Sequence, residues 1–226
     1  MSVPRRIAVI ASGRGSNFAA IADACAQGII PAEPVLLLCN VEGAGVLELA
    51  AQREIPARCI SHSAYSSRES FETALLEALA TARADFVALA GFMRILTDTF
   101  IREYYGSLLN IHPSLLPKYP GLNTHQRALD AGDPESGATV HFVTPELDTG
   151  PAIIRGRVPI RAGDDATTLA RRVQQVEHDI YPQALAWCLS GDVILRDGAA
   201  WKNGEKLGEG GIDFCNSSDS GDGAST

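Results

Sequence analysis

The segment Ile7-Ala8-Val9-Ile10-Ala11-Ser12-Gly13-Arg14-Gly15-Ser16-Asn17 runs five apolar residues into a glycine turn. An apolar run of that length, bounded by a turn signal, reads as a strand buried on both faces. A helical pattern follows over residues 17–27, so the turn also opens a helix, where free backbone N–H groups and the helix dipole favour an anion. The spacing excludes two common phosphate loops. After Gly13 and Gly15 the third glycine position of a dinucleotide fingerprint is Phe18, and the second apolar run ends in Cys39-Asn40 without the acid that would hold a ribose. Gly-Lys-Ser/Thr is also missing from this loop, so it is not a nucleotide P-loop. A cradle for a single phosphate at Gly15, with Ser16 and Asn17 adding side-chain donors, remains beside the plainer reading of a tight turn with a helix cap.

Outward from this segment, Val35-Leu36-Leu37-Leu38-Cys39 and Phe86-Val87-Ala88-Leu89-Ala90 repeat the buried-strand pattern. Helical spacing covers residues 44–53 and 68–82, the latter with Phe71, Leu75, Leu76 and Leu79 on one stripe. Alternating strands and helices predict an α/β fold built on a mostly parallel sheet with helices on both faces. From Gly137 the pattern changes to two strand-like runs, 138–143 and 152–158, joined by a turn-rich connection that carries Asp148. They read as a hairpin-type, antiparallel extension of the same sheet. A long helix over 166–189 and a short strand pair near 193–201 close the domain, expected to span residues 1–207. Residues 208–226, rich in Gly, Ser and Asp, read as a disordered acidic tail.

The 226-residue chain carries a net charge of −8, which disfavours sequence-independent binding to nucleic acid. Its five cysteines are odd in number and lack CxxC spacing, which argues against a disulfide framework or a zinc site. The start of the chain has no signal-peptide core and no apolar stretch approaches about 18 residues, so a cytoplasmic protein without a membrane partner is expected.

Leu108-Leu109-Asn110-Ile111-His112-Pro113 then delivers two polar side chains at the end of an apolar run. Strand alternation turns Asn110 and His112 to one face, and Pro113 ends the strand at the carboxyl edge where open α/β sheets bind ligands. Asp148 is the candidate partner of His112, beside the plainer reading of a hydrogen-bonded strand-end histidine and a turn aspartate. A carboxylate there favours the imidazolium and raises its pKa, while Asn110 supplies an uncharged donor to the same developing oxyanion. No Ser or Cys stands as an evident nucleophile, so the attacking group is expected to belong to a substrate. His62, His125, His141 and His178 are weaker candidates, with no ligand spacing for a metal, and none is expected. Gln174 and Glu177 lie one helical turn apart and could face a ligand together or sit on a solvated face.

With these residues in place, the sequence resembles the folate-dependent glycinamide ribonucleotide formyltransferases of the single-domain bacterial type. The resemblance rests on Ser12 to Asn17, Ala90-Gly91-Phe92-Met93-Arg94-Ile95-Leu96, Leu109 to Gly121, Val140-His141-Phe142-Val143 and Glu146-Leu147-Asp148-Thr149-Gly150-Pro151, in order across roughly residues 7–205. It implies a Rossmann-like formyltransferase fold and transfer of the formyl group of 10-formyltetrahydrofolate, a co-substrate, to the amine of 5-phosphoribosylglycinamide. Carried over by position, Asn110, His112 and Asp148 become the catalytic trio, and Gly15, Ser16, Asn17, Gln174 and Glu177 contact the ribonucleotide. Arg68, Met93, Arg94, Ile95, Leu96, Asn110 and Val143 contact the folate. Asn123 departs from the histidine usual there, and Arg14 from the common phosphate-loop residue, with little expected consequence for the latter. Monomer and homodimer both remain open.

Three other readings compete. Methionyl-tRNA formyltransferases share the Asn-x-His core but carry a further C-terminal domain and basic RNA-binding surface, whereas this chain ends in an acidic tail. Formyltetrahydrofolate hydrolases place a regulatory domain before the catalytic one, whereas the first strand here begins near Ile7. A non-catalytic module could use the glycine loop alone for a phosphorylated ligand.

Overall fold

The computed structural model describes residues 4–215. Seven strands and six helices carry the first 190 residues: β1 (Arg5–Ala11), α1 (Ser16–Ala26), β2 (Ala32–Cys39), α2 (Gly45–Gln52), β3 (Ala57–Cys59), α3 (Arg68–Thr81), β4 (Phe86–Leu89), α4 (Asp98–Glu103), β5 (Leu108–His112), α5 (Thr124–Asp130), β6 (Glu135–Phe142), β7 (Ala152–Pro159) and α6 (Ala166–Ser190). They are followed by β8 (Val193–Arg196), β9 (Ala199–Lys202), β10 (Glu205–Lys206) and β11 (Ile212–Phe214).

An eight-stranded sheet runs β11-β7-β6-β5-β4-β1-β2-β3. Every neighbouring pair in it is parallel except those made by β6, which lies antiparallel to β5 and β7. Apolar side chains alternate between two cores. Ile7, Val9, Leu37, Leu109 and Ile111 pack toward α1, α2 and α6, while Ala8, Ile10, Leu38, Val87 and Leu108 pack toward α3 and α4. This is the physical content of the apolar runs: strands with a helical layer on each side have no polar face to show. Burying residues such as Phe18, Phe71 and Leu75 stabilises the fold by about 1.5–3 kcal/mol each relative to exposure.

α6 crosses one face for 25 residues and is secured at both ends. The Asp165 carboxylate accepts from the Thr168 backbone N–H in a capping box, and Gly191 takes the left-handed conformation at the C-cap. Its buried Tyr181 hydroxyl lies 2.9 Å from the Leu89 carbonyl oxygen and 3.1 Å from that of Leu109, and its one proton is shared between them. The long helix thereby grips β4 and β5 one residue short of Ala90 and Asn110.

Two sequence expectations need correction at the C-terminal end. The strand pair near 193–201 is a three-stranded antiparallel sheet, β8-β9-β10, separate from the main one. The disordered tail does not begin at residue 208, because β11 adds to the edge of β7 in parallel. Asp213 on β11 pairs with Arg155 at 2.6 Å and with Arg157 at 3.1 Å. Composition averaged over the tail concealed Ile212 and Phe214, whose backbone finds hydrogen-bonding partners only at that edge. The rest of the expected tail, 216–226, lies outside the described residues. Among the described residues no helix is long and apolar enough to cross a membrane.

Candidate active site

The order of strands reverses between β1 and β4, so the loops leaving their carboxyl ends diverge and open a crevice. The glycine loop enters it from β1. Gly15 sits at φ 85° as the N-cap of α1, and a Cβ there would lie 2.5 Å from a methyl of Val46. Both facts require glycine at this position. No side chain caps α1, so the first-turn N–H groups remain directed at the crevice.

Here α6 meets the loop. Gln174 donates to the Ser16 hydroxyl at 2.9 Å, and Asn17 donates from Nδ2 to Glu177 at 2.8 Å, leaving Asn17 Oδ1 buried without a partner. Glu177 is buried, which pushes its carboxyl pKa up. The five residues expected to contact the ribonucleotide therefore converge from two elements on one cavity of about 520 Å³, a size typical of small-molecule sites. Met93, Arg14 and Arg171 also line it. Neither arginine makes an ion pair or side-chain hydrogen bond among the described residues, and both are exposed.

A second, smaller cavity lies across β5, lined by Arg94, Ile95, Leu96, Asn110, Val143 and Asp148 among others. Four of the expected folate contacts from 90–96 thus divide: Arg94, Ile95 and Leu96 face this cavity, while Met93 faces the first. The loop that carries them is held at both ends. Ser12 Oγ accepts from the Met93 backbone N–H at 3.0 Å, and the buried Glu72 carboxylate accepts from the Thr97 N–H at 3.0 Å and from its hydroxyl. Arg68 stands apart, exposed at the first turn of α3 and outside the walls of both cavities.

Asn110 and His112 do share a face of β5, and Asp148 folds back to them. Its Oδ2 lies 3.4 Å from His112 Nδ1 and accepts from the Gly121 N–H at 2.8 Å. His112 Nε2 is 2.9 Å from the Tyr119 carbonyl oxygen. Both ring nitrogens therefore face acceptors, an arrangement matched by a doubly protonated ring. Sharing that face does not bring both side chains to the cavity: His112 is buried and does not form its wall, since Tyr119 and Asp148 occupy both its nitrogens. Asn110 does line the cavity. Asp148 holds φ 55°, a left-handed conformation uncommon outside glycine and tolerated best by Asp and Asn.

His141, ranked among the weaker histidines, is the residue that sequence reasoning missed. It is the cross-strand partner of Asn110, with Nε2 at 3.2 Å from Asn110 Nδ2 and 3.9 Å from Asp148 Oδ1. Complete burial depresses its pKa to about 4. Strand alternation could place it on a face, but only pairing with β5 could say which neighbour it meets. His125 also lines the first cavity, its pKa lowered mainly by burial and further by nearby His112. Among the described residues no group of three His, Cys, Asp or Glu is arranged to hold a metal ion.

A formyl transferase family model matches residues 5–185. The chain belongs to the formyl transferase family. Among similar members, the phosphoribosylglycinamide formyltransferase of Escherichia coli (strain K12) is 46% identical over 201 residues, covering 89% of this chain and 95% of that protein. The enzyme of the same name from Haemophilus influenzae is 40% identical, covering 92% and 98%. The solved structure of the phosphoribosylglycinamide formyltransferase from Coxiella burnetii superposes with a TM-score of 0.90 at 40% identity, covering 94% of this chain and all of that one. In formyl transferase terms, the matched region runs from β1 into α6 and holds both cavities.

Proposed function

We propose that this formyl transferase moves the formyl group of 10-formyltetrahydrofolate to the amine of 5-phosphoribosylglycinamide, a step of de novo purine synthesis. The products are 5-phosphoribosyl-N-formylglycinamide and tetrahydrofolate. The observation that carries this reading is the pair of cavities separated by β5. One has an uncapped helix N-terminus suited to a phosphate, and the other is lined by the Asn110 amide, the His141 imidazole and the Asp148 carboxylate, with His112 buried behind Asp148, a set suited to acyl transfer.

The ribonucleotide phosphate sits on the N–H groups of Gly15, Ser16 and Asn17, with Gln174 and Glu177 contacting the rest of that substrate. Folate takes the wall of Arg94, Ile95, Leu96 and Val143, Met93 lies on the side facing the ribonucleotide, and exposed Arg68 serves only the part of the folate that extends beyond the cavity. The unprotonated amine attacks the formyl carbon, forming a C–N bond and an oxyanion. The Asn110 amide donates to that oxygen directly. His112 contributes its charge from beneath, and donates directly only by exchanging the Tyr119 carbonyl for the substrate oxygen. Collapse breaks the bond to the folate nitrogen, which takes up the proton lost by the amine through water held at Asp148. Binding both substrates in one crevice supplies the proximity.

Consumption of 10-formyltetrahydrofolate is measured with and without the ribonucleotide. Turnover that requires the ribonucleotide supports the reading. Turnover without it makes the chain a hydrolase, and none with either makes it a binding module. His112→Ala and Asp148→Asn each lower the transfer rate by about 10²-fold or more, the usual range for acid–base and oxyanion groups. Near wild-type turnover in both removes the trio from the mechanism.

A further inference from the structure

The Asn110 amide can present either its nitrogen or its oxygen to the cavity, and only one orientation donates to an oxyanion. His141 decides between them. Its Nδ1 lies 2.9 Å from the Phe142 carbonyl oxygen, which can only accept, so Nδ1 carries the proton. In the neutral ring Nε2 is then a bare lone pair, 3.2 Å from Asn110 Nδ2. An amide turned over would set Oδ1 against that lone pair, two acceptors facing each other in a buried site.

We propose that His141 is a positioning residue whose neutral, Nδ1-protonated ring holds Nδ2 of Asn110 in place, so that the second N–H of the amide is free for the formyl oxygen in flight. The proposal rests on the formyl-transfer reading for its catalytic consequence but not for its geometry. The register brings the two side chains together on one face, because Asn110 and His141 are directly opposed on antiparallel β5 and β6. Burial keeps the ring neutral against the charged and titratable groups around it: Asp148, with Oδ1 3.9 Å away, His112 on the same face of β5, and Arg94 and Glu146 on the cavity wall.

Two substitutions and one spectroscopic measurement test it. His141→Leu removes the acceptor and lowers kcat by about 10²-fold with the ribonucleotide KM little changed, as loss of an oxyanion donor does. His141→Gln can place its side-chain oxygen where Nε2 stood, and restores kcat to within about 10-fold of wild type. In the unsubstituted protein, nitrogen-15 NMR shows His141 as the Nδ1–H tautomer at neutral pH. Wild-type kcat in His141→Leu overturns the proposal, as does a glutamine variant that is folded and no better than leucine, or an Nε2–H or doubly protonated ring at neutral pH. If His141→Leu does not fold, the glutamine variant and the tautomer still decide. If the wild-type protein transfers no formyl group, the functional reading is refuted while the tautomer measurement still judges the geometry.

Discussion

Replacing His141 by glutamine flattens the acid side of the stability curve. The folded ring titrates near 4, against about 6.5 in an unfolded chain, because complete burial penalises its charged form. Between those values the unfolded chain binds the extra proton, so stability rises with pH across the window. The contribution is fully present above about pH 6.5 and is lost as pH falls toward the folded pKa, for a total of about 3 kcal/mol. About 2 kcal/mol of it is gone between about pH 7.5 and about pH 5. His125 and His178, whose pKa values burial also lowers, act in the same direction, while the raised carboxyl of Glu177 acts in the opposite one. The test is therefore a difference between proteins: urea unfolding free energies of wild type and His141→Gln at both pH values. The wild type loses about 2 kcal/mol more than the variant on acidification. Equal losses refute the assignment of a buried, neutral His141.

Gly15→Ala forces a Cβ against Val46 in a left-handed backbone position, so it lowers stability by about 1–3 kcal/mol and weakens ribonucleotide binding, read from unfolding curves and KM. Arg14→Ala with Arg171→Ala removes two guanidinium groups, unpaired among the described residues, from the larger cavity; on the proposed reading the ribonucleotide KM rises by about 10-fold with little change in kcat, and less so at high salt. An unchanged KM shows that backbone N–H groups alone hold the phosphate. Truncation before residue 208 removes β11 and leaves the β7 edge open, so the shortened chain elutes in size-exclusion chromatography as larger species than the full chain does at the same concentration.

The α/β class, the glycine turn at Gly13 and Gly15 and the face of β5 shared by Asn110 and His112 were legible in the chain, because each rests on local rules: apolar runs, turn chemistry and two-residue alternation. Helix ends were legible to within a residue or two, as at α1 and α6, where Gly15 and the Asp165 capping box mark them. Short α4 and β3 were not read, since six residues in one and three in the other give too little periodicity to stand above their surroundings.

What the sequence determined by itself was which chemistry is present and near which strand end it falls. What only the tertiary structure decided was how those groups are shared out: His112 withdrawn between Tyr119 and Asp148, Asn110 left at the cavity, and His141 brought in beside it. The loop from 90 to 96 likewise distributes its residues between two cavities. The physical reason is the same in each case. Alternation fixes the face of a side chain, but its hydrogen-bond partner depends on the register between strands and on loops folding back from far along the chain. Ile212 and Phe214 make the point at the other end of the sheet, where an edge lacking hydrogen-bond partners gave order to a segment whose composition argued for none.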